Sequence, residues 1–409
     1  MSATPLSFIA RQPILEISGD VHAYELLHRS GPSGGFSGID PSQATIDVLR
    51  TAFLSAPLES LTGGHLAFIN VPEELLVQDF IAVIPPDTAV IEILETVRPS
   101  PRVIAAVRTL KASGHLIALD DFEGHENWAP LVEMADYIKV DFMLTGPGER
   151  AQILERWKRP GLRFLAEKVE TRADQQEALA AGYDLFQGYF FCKPEISSQR
   201  ELPRSRQSYL LLLQALSCSQ PDLVHVESII QHELSLTAGL LRYLNSAAFG
   251  VRQEITSIRQ ALIHLGERPL KRWGTLIAMA RLGENQPVEL LRTSLIRAKF
   301  GEDLAELQEP KANPLRAFLA GLFSSIDALL GMPMENAIDA LGLDSELRKA
   351  ILGNDSREAL YLCLALSLEQ GEWTKADEYC KALDLDLAYV QTLFTQAIAW
   401  GDSGLNLLH

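Results

Sequence analysis

The sequence predicts a fold of the α/β class, a TIM-type (β/α)8 barrel with an antiparallel first hairpin, followed by an all-α helical domain. Three observations support this prediction. Short β-type runs alternate with helical runs between residues 8 and 191, which is the pattern of a sheet covered by crossover helices. Most of the β-type runs are too uniformly apolar to have a face in water. From residue 205 onward the pattern is helical.

The predicted strands are eight short runs, which is the number that a closed barrel of this type requires. Parallel strands that are buried on both faces read as nearly continuous apolar stretches rather than as an alternating pattern. The candidate strands are residues 8–15, 21–28, 65–71, 89–94, 116–122, 137–142, 163–169 and 183–191. We therefore expect the sheet to close on itself.

The first two runs depart from a regular order of strand and helix. They are separated only by Ser18, Gly19 and Asp20, and this connection is too short for the crossover that two parallel strands need. We therefore predict that they form an antiparallel hairpin.

The β-type signal ends after Glu195, and residues 194–203 have the composition of a linker. This boundary predicts a barrel domain over residues 1–198 and a helical domain over residues 199–409. Charged residues, Pro and Asn are enriched in residues 286–314, which favours a subdivision of the helical domain there.

One predicted helix of this half carries signals at both of its ends. Ser257 and Gln260 have the spacing of a capping box, and Gly266 follows the last turn. Leu262 and Leu265 then fall on the side that is expected to be buried. The pattern predicts a short helix between Ser257 and Gly266.

The composition argues against several classes of protein. The 409 residues carry a formal net charge of -17, and an acidic surface repels the phosphates of a nucleic-acid polymer. The four cysteines lack the paired spacing of a metal site or a disulfide framework. No secretion signal is evident at the N-terminus, and no apolar stretch approaches the roughly 20 residues that cross a bilayer. We therefore expect a cytoplasmic protein that binds neither membranes nor nucleic-acid polymers.

Acidic side chains recur at the C-terminal ends of the predicted strands. In a parallel barrel these ends meet at one rim, where reacting groups collect. Five carboxylates at one rim repel each other unless cations neutralise them, and carboxylate and amide oxygens suit Mg²⁺ or Mn²⁺. The residues at the predicted strand ends are Glu25, Asn70, Glu92, Asp120, Asp121, Lys139, Glu167 and Gln187.

The adjacent pair Asp120 and Asp121 fits a site for two cations, because both lie where a strand becomes a loop and both can turn toward one centre. Two such ions, about 3.5–4 Å apart, activate a water molecule and neutralise phosphate oxygens in an in-line displacement. Lys139 at the same rim would orient that water or bind the phosphate. The residues thus predict metal-dependent phosphodiester chemistry.

Several motifs of the first half resemble those of the EAL family of cyclic di-GMP phosphodiesterases, in the same order and at similar spacing over residues 8 to about 195. The triplet that names the family reads Glu25-Leu26-Leu27 here. The matching motifs are Gln12-Pro13-Ile14, Glu25-Leu26-Leu27-His28-Arg29, Asn70, Glu92-Ile93-Leu94-Glu95, Asp120-Asp121-Phe122, Lys139-Val140-Asp141, Glu167-Lys168-Val169-Glu170-Thr171 and Gln187-Gly188.

The resemblance implies a role for each polar residue at the predicted strand ends, and for Gln12 and Arg29. By it, one metal ion is held by Glu25, Asn70, Glu92 and Asp120, and the other by Asp120, Asp121 and Glu167. Lys139, Glu167 and Gln187 are then the catalytic residues, with Lys139 and Gln187 positioning water. The same resemblance implies that Arg29 binds a substrate phosphate and that Gln12 contacts the nucleotide.

Two departures from the family pattern concern the loop and the strand end beside the acidic residues. Residues 122–128 read Phe-Glu-Gly-His-Glu-Asn-Trp, whereas the family has Phe-Gly and then a Gly-, Ser- and Thr-rich run that organises the second metal and a dimer contact. Glu123 and His125 are interpreted as solvated loop residues rather than new ligands. Lys168 replaces the usual Gly, and strand alternation predicts that it points away from the site. The sequence leaves open whether two copies of the chain form a homodimer.

The helical half resembles an HDOD domain over residues 228–250 and 255–266. That family is a helical relative of the HD phosphohydrolases that has lost their metal ligands. In this chain no His is followed by Asp, and clustered His and Asp are what a catalytic metal there would need. We therefore expect this half to bind a protein partner rather than to form a second enzyme.

Three hypotheses for the function remain open at this point. The first is a signalling protein whose barrel binds cyclic di-GMP and hydrolyses it to linear pGpG at a two-metal site, coupled to the helical interaction domain. The second is a degenerate, non-catalytic barrel that acts as a nucleotide receptor or a protein scaffold. The third is a different barrel metallohydrolase.

Overall fold

A computed structural model describes most of the chain. The described residues are 7–30, 58–78, 81, 84–188, 204–218, 220–244, 257–284, 286–308 and 310–408. Within these ranges the side chains are described except at residues 7–9, 28–30, 60, 172, 204, 205, 234, 242 and 406–408.

Within the described residues, eight strands form a closed barrel in the order in which they occur along the chain. β1 is antiparallel to both of its neighbours, β2 and β8, and the remaining neighbouring pairs are parallel. The strands are β1 (Ser7–Glu16), β2 (Val21–Ser30), β3 (Leu66–Val71), β4 (Ala89–Ile93), β5 (Leu116–Leu119), β6 (Tyr137–Asp141), β7 (Arg163–Glu167) and β8 (Leu185–Gln187). The predicted barrel and its antiparallel first hairpin are confirmed.

The hairpin between β1 and β2 closes at a tight turn. The Glu16 amide donates to the Asp20 carbonyl at 2.8 Å, and the Gly19 amide donates to the Glu16 carbonyl at 3.0 Å. Gly19 has a φ of 88°, a left-handed conformation that glycine adopts without a steric penalty. This turn returns the chain directly and leaves no room for a crossover helix.

The barrel interior is filled by one inward-facing side chain from each strand. This layer is fully buried or nearly so, and its side chains come from alternating inner positions of the strands. Its members are Ile14, Ala23, Phe68, Val90, Ala118, Tyr137, Leu165 and Leu185. The layer forms an apolar floor inside the barrel.

Helices connect the strands, and helices continue after the barrel as predicted. In the barrel half they are Leu58–Thr62, Glu73–Leu76, Pro101–Ala112, Ala129–Val132, Pro147–Trp157 and Arg172–Ala181, with a 3-10 turn at Glu126–Trp128. The later helices are Arg204–Ser217, Leu223–Gln231, Leu234–Leu244, Ile258–Leu265, Glu267–Leu282, Val288–Leu307, Pro314–Phe323, Ile326–Leu330, Met334–Leu341, Ser345–Ile351, Arg357–Glu369, Trp373–Leu383 and Leu387–Leu408. None of the described helices combines the length and the apolar character needed to span a lipid bilayer.

The helix Ile258–Leu265 begins directly after Ser257, as the sequence predicts, and Ser257 supplies the N-cap half of the predicted capping box. The Ser257 hydroxyl accepts a hydrogen bond from the Gln260 amide at 3.2 Å, which satisfies one of the donors that a helix leaves open at its first turn. Leu262 and Leu265 are buried.

The chain folds into two compact units, and neither is a single continuous stretch of sequence. The first contains Met1–Lys193 and Leu364–Ala399, and the second contains Pro194–Cys363 and Trp400–His409. The first unit therefore includes a segment that the sequence interpretation assigns to the helical half. The domain bounds at residues 198 and 199, and the subdivision near residues 286–314, stay predictions.

The second unit contains a close crossing of the helices Val288–Leu307 and Pro314–Phe323. A Cβ atom at Gly321 would lie 2.4 Å from the Ala298 amide nitrogen, and one at Gly301 would lie 3.1 Å from the Ala317 carbonyl oxygen. The backbones can approach this closely only because these positions lack side chains. Beside this crossing, the Arg272 guanidinium lies 4.7 Å from the centre of the Phe318 ring.

Candidate metal and nucleotide site

The polar residues predicted at the strand ends form a second layer inside the barrel, directly above the apolar floor. Successive residues of a strand face opposite sides, so a position two residues farther along faces the same interior. Each parallel strand carries its polar residue two positions after its floor residue, as in Phe68 and Asn70 or Val90 and Glu92. On the antiparallel β1 the order is reversed, and Gln12 precedes Ile14. The barrel geometry therefore gathers all these side chains at one rim.

Lys139 lies at the centre of this layer and is 1% exposed. Its Nζ is 2.8 Å from Glu167 Oε1, 3.0 Å from Asp120 Oδ1 and 3.3 Å from Glu25 Oε2, and it also donates to Glu92. Four of the five predicted carboxylates thus converge on a single ammonium group.

Glu25 accepts hydrogen bonds from amide side chains and connects them to the carboxylate cluster. Asn70 Nδ2 donates to Glu25 Oε1 at 3.2 Å, and Gln187 Nε2 donates to Glu25 Oε2 at 2.6 Å. Gln187 Nε2 also lies 3.1 Å from Gln12 Oε1, to which it donates. Gln12, Asn70 and Gln187 are therefore connected to the carboxylates through hydrogen bonds.

The buried cluster shifts the pKa values of its members in opposite directions. Burial, together with the neighbouring carboxylates, holds the pKa values of Glu92 and Glu167 well above the usual range, although Lys139 lowers them. Burial also acts to raise the pKa of Asp120, but the Lys139 charge and hydrogen bonds from Glu92 and Lys139 bring it below its ordinary value. The pKa of Lys139 is raised by the four carboxylates despite its burial. These shifts favour the protonated forms of Glu92 and Glu167 and the charged form of Lys139.

Asp121 lies beside the layer, where β5 has ended. Asp120, Asp121 and Glu167 each offer one carboxylate oxygen, and these oxygens lie within 4.8 Å of one another. Asp121 has a φ of 39°, so its backbone has left the strand and its side chain can join that of Asp120. The structure therefore brings together the three residues that the resemblance assigns to the second metal ion.

The donor set fits hard divalent cations. It consists of carboxylate and amide oxygens, which Mg²⁺ and Mn²⁺ prefer. Glu92 Oε2, Glu167 Oε2 and Gln187 Oε1 are buried and accept no hydrogen bond from the residues that the structure describes. Buried oxygens without a donor are costly, and a bound cation would satisfy them. Such a cation would compete with the Lys139 ammonium for the same carboxylates.

Arg29 is the one predicted site residue whose side chain lies outside the described part of the structure. Its backbone belongs to β2 and pairs with Phe8. Its predicted contact with a substrate phosphate stays a prediction.

Two residues of the altered loop pair with each other. His125 Nε2 lies 2.9 Å from Glu123 Oε2, and their side chains are 65% and 74% exposed. The pair agrees with the interpretation of both as solvated loop residues.

Lys168 does not follow the strand alternation that the sequence analysis applies to it. β7 ends at Glu167, and Lys168 has a left-handed φ of 53°, so the alternation of a strand no longer determines where its side chain lies. Its ammonium pairs with Asp141 and interacts electrostatically with Asp121 and Glu167. The expectation that Lys168 points away from the site is wrong.

Asp141 is a site residue to which the sequence analysis assigns no role. It is 2% exposed, and its Oδ1 accepts hydrogen bonds from the amides of Met143 at 2.6 Å and Leu144 at 3.0 Å. Its other oxygen pairs with Lys168. The signal that could have identified it is its position two residues after Lys139, on the same face of β6.

Comparison with known proteins supplies the family. The chain matches the family model of the EAL domain over residues 59–194 and that of the HDOD domain over residues 202–353. It is 37% identical over 401 residues to the uncharacterized protein YuxH of Bacillus subtilis, covering 96% of this chain and 97% of YuxH. It is 32% identical over 397 residues to the cyclic di-GMP phosphodiesterase CdgJ of Vibrio cholerae, covering 96% of this chain and 92% of CdgJ.

Solved structures also match part of the chain. An EAL domain protein from Listeria monocytogenes is 20% identical, with a TM-score of 0.33, over 46% of this chain and 87% of that one. The complex of Klebsiella pneumoniae BlrP1 with calcium and cyclic di-GMP is 24% identical, with a TM-score of 0.38, over 46% of this chain and 57% of that one. On the family models and on the identity to YuxH and CdgJ along nearly its whole length, the chain belongs to the EAL family, in the YuxH-like form in which an HDOD domain follows the EAL domain.

Proposed function

We propose that this chain is a cyclic di-GMP signalling protein whose barrel binds the nucleotide with Mg²⁺ or Mn²⁺ and hydrolyses it to linear pGpG. The EAL and HDOD matches and the 32% identity to CdgJ, which is named as a cyclic di-GMP phosphodiesterase, support a role in this signalling system.

The observation that carries the proposal is the convergence of Glu25, Glu92, Asp120 and Glu167 at one rim, with buried oxygens of Glu92 and Glu167 that accept no hydrogen bond from described residues. A purely structural cluster of this kind would be expected to satisfy its buried oxygens within the protein. A site that binds cations leaves oxygens open for them.

In the proposed site, the cations and the side chains have different roles. Glu25, Asn70, Glu92 and Asp120 would hold one ion, and Asp120, Asp121 and Glu167 would hold the other. When bound, two such ions activate water and neutralise phosphate oxygens. Lys139 and Gln187 orient the attacking water from within the polar layer, and Gln12 contacts the nucleotide. Hydrolysis then adds a hydroxyl to phosphorus and a proton to the leaving sugar oxygen.

A second function is a nucleotide receptor that does not hydrolyse. Lys139 already contacts all four carboxylates, and Lys168 adds a second positive charge beside Asp141. Lys139 competes with divalent ions for the same oxygens, and the nearby charge of Lys168 repels them. A barrel that binds its metal ions weakly would bind the nucleotide without cleaving it.

One assay separates the two functions. The purified full-length chain, incubated with cyclic di-GMP and Mg²⁺ or Mn²⁺, is expected to produce the linear dinucleotide, as resolved by chromatography. Glu25→Ala removes a carboxylate of the polar layer and should abolish turnover. Glu155→Ala, on the exposed face of the helix Pro147–Trp157, is the matched control and should retain it.

The assay can also reject the proposed site. Unchanged turnover in Glu25→Ala would remove the assignment of the metal site. Calorimetry that detects nucleotide binding without any product would support the receptor, and the absence of both binding and product would leave a protein scaffold.

We further infer that the HDOD-like half binds a protein partner. In the described residues, the group formed by Asp120, Asp121 and Glu167 lies in the barrel, and the described part of the helical half contributes no comparable group of metal-ligating side chains. Large apolar side chains such as Val224 and Ile263 are 66% and 70% exposed there, and a partner that buried them would gain stability from the apolar surface removed from water. Light scattering on the purified chain tests whether a second copy is that partner.

A further inference from the structure

Lys168 occupies a strained backbone position at the edge of the acidic cluster. Three described residues other than glycine have a positive φ, and two of them, Asp121 and Lys168, lie at this site. A left-handed conformation costs a residue with a side chain about 1–2 kcal/mol relative to the right-handed one. Such conformations concentrate at functional sites, where the surrounding structure enforces them.

The contacts of Lys168 direct its charge toward the second group of ligands. Its ammonium pairs with Asp141. In the register of the parallel strands β6 and β7, Asp141 is paired with Glu167. The carboxylates of Asp121 and Glu167 are close enough to Lys168 to interact with it electrostatically. Asp141 is in turn fixed by the backbone amides of Met143 and Leu144. The ammonium is thus held at one place by a buried carboxylate that is itself anchored.

A fixed positive charge beside a cation site opposes the binding of a second cation. The repulsion between an ammonium and a divalent ion several ångström apart amounts to a few kcal/mol at a protein surface and is reduced by solvent. The Lys168 side chain is 51% exposed, so the effect is partly screened but not removed.

We propose that Lys168 is a positioning residue that lowers the affinity of Asp120, Asp121 and Glu167 for their divalent cation, and thereby sets the metal concentration at which the second ion binds. This inference rests on the proposed metal site. It concerns the loading of that site, and it holds whether or not the nucleotide is hydrolysed.

The test compares charge removal with charge retention at residue 168 in the full-length chain. Lys168→Met keeps an unbranched side chain and the same backbone strain but removes the charge, whereas Lys168→Arg keeps the charge. Calorimetric titration with Mn²⁺ in the absence of nucleotide measures both affinities and the stoichiometry. Lys111→Met breaks a Lys–Asp pair with Asp136, just before β6 begins, and serves as the matched control.

We expect Lys168→Met to bind the weaker Mn²⁺ ion roughly tenfold more tightly, and Lys168→Arg and Lys111→Met to match the unmodified chain. Because the effect is electrostatic, the difference between Lys168→Met and the unmodified chain should narrow as KCl is raised. A merely structural role for Lys168 would not produce that salt dependence.

Other outcomes overturn the inference. Equal or weaker Mn²⁺ binding in Lys168→Met would show that the charge does not oppose the cation. If Mn²⁺ binding is unchanged and a separate titration with cyclic di-GMP shows weaker nucleotide binding in Lys168→Met, Lys168 is a phosphate contact instead. If none of the proteins binds Mn²⁺, both this inference and the metal-dependent function fall. Tighter Mn²⁺ binding without hydrolysis would sustain the inference and reject only the enzyme.

Discussion

Lys139 contacts four carboxylates, and a single positive charge cannot balance four negative ones. In a buried layer the excess charge is removed either by protons or by further cations, because unpaired charges are costly there. The raised pKa values of Glu92 and Glu167, caused by burial and by neighbouring carboxylates, favour their protonated forms when no metal is bound. Divalent cations would replace those protons.

This exchange predicts how stabilisation by metal depends on pH. Glu92 and Glu167 have higher pKa values in the folded state than in the unfolded state. Their contribution to folding stability is therefore fully present below the pKa of the unfolded state and is lost as the pH rises through the pKa of the folded state. Metal binds the deprotonated forms and releases protons. The increase in Tm caused by Mg²⁺ should therefore be larger at about pH 8 than at about pH 6.

Thermal unfolding with and without Mg²⁺ at the two pH values measures this effect. Glu92→Gln removes one of the two protons that the cation must displace, so its Tm increase should depend less on pH. An increase in Tm that is the same at both pH values in the unmodified chain would contradict the assigned exchange of protons for metal.

Along each parallel strand, the residue of the polar layer lies two positions after the residue of the apolar floor. This periodicity is visible in the sequence, and the eight predicted runs with their polar ends therefore identify most of the site. The prediction fails at Lys168, because the chain has left β7 there with a positive φ and the alternation of a strand no longer applies. Asp141 lies in a matching motif but receives no role from the sequence, because its pairing with Lys168 depends on this change of backbone direction.

Gly188 fixes the end of β8 next to Gln187. It has a φ of 142°, and a Cβ atom there would lie 2.1 Å from the Val169 carbonyl oxygen. Gly188→Ala must therefore displace the strand end and should lower the free energy of unfolding by about 2–4 kcal/mol. Because Gln187 donates to Glu25, the same change should weaken Mn²⁺ binding. Urea unfolding and Mn²⁺ titration measure the two effects.

Gly161→Ala is the control for the backbone contribution alone. Gly161 has a φ of 84°, and a Cβ atom there meets no heavy atom within 4 Å. Gly161→Ala should lower the free energy of unfolding by only about 1–2 kcal/mol, because only the left-handed backbone is strained. Its Mn²⁺ binding should be unchanged. Equal effects at the two glycines would mean that the contact with Val169 does not matter.

In the whole molecule, residues that follow one another in the sequence do not all belong to the same compact unit. A change of composition near residue 200 suggests a single boundary, because sequence patterns are read along the chain and do not reveal a segment that returns. The structure groups Leu364–Ala399 with the barrel. A Cβ atom at Gly371 would lie 3.4 Å from Leu27 Cδ1, so this segment contacts β2 only two residues from Glu25.

This grouping predicts the behaviour of a shortened chain. A protein of residues 1–198 lacks the segment Leu364–Ala399, which buries large apolar side chains such as Leu368, Trp373 and Phe394 in the full chain. Its barrel should expose apolar surface, bind a hydrophobic dye and unfold at a lower urea concentration than the full chain, since lost apolar burial costs about 25 cal/mol per Å². A chain that ends at residue 399 removes only residues grouped with the second unit, and its barrel should retain Mn²⁺ binding. If residues 1–198 alone are as stable as the barrel of the full chain and bind no dye, the segment contributes nothing to the barrel, and the domain boundary predicted from the sequence is sufficient.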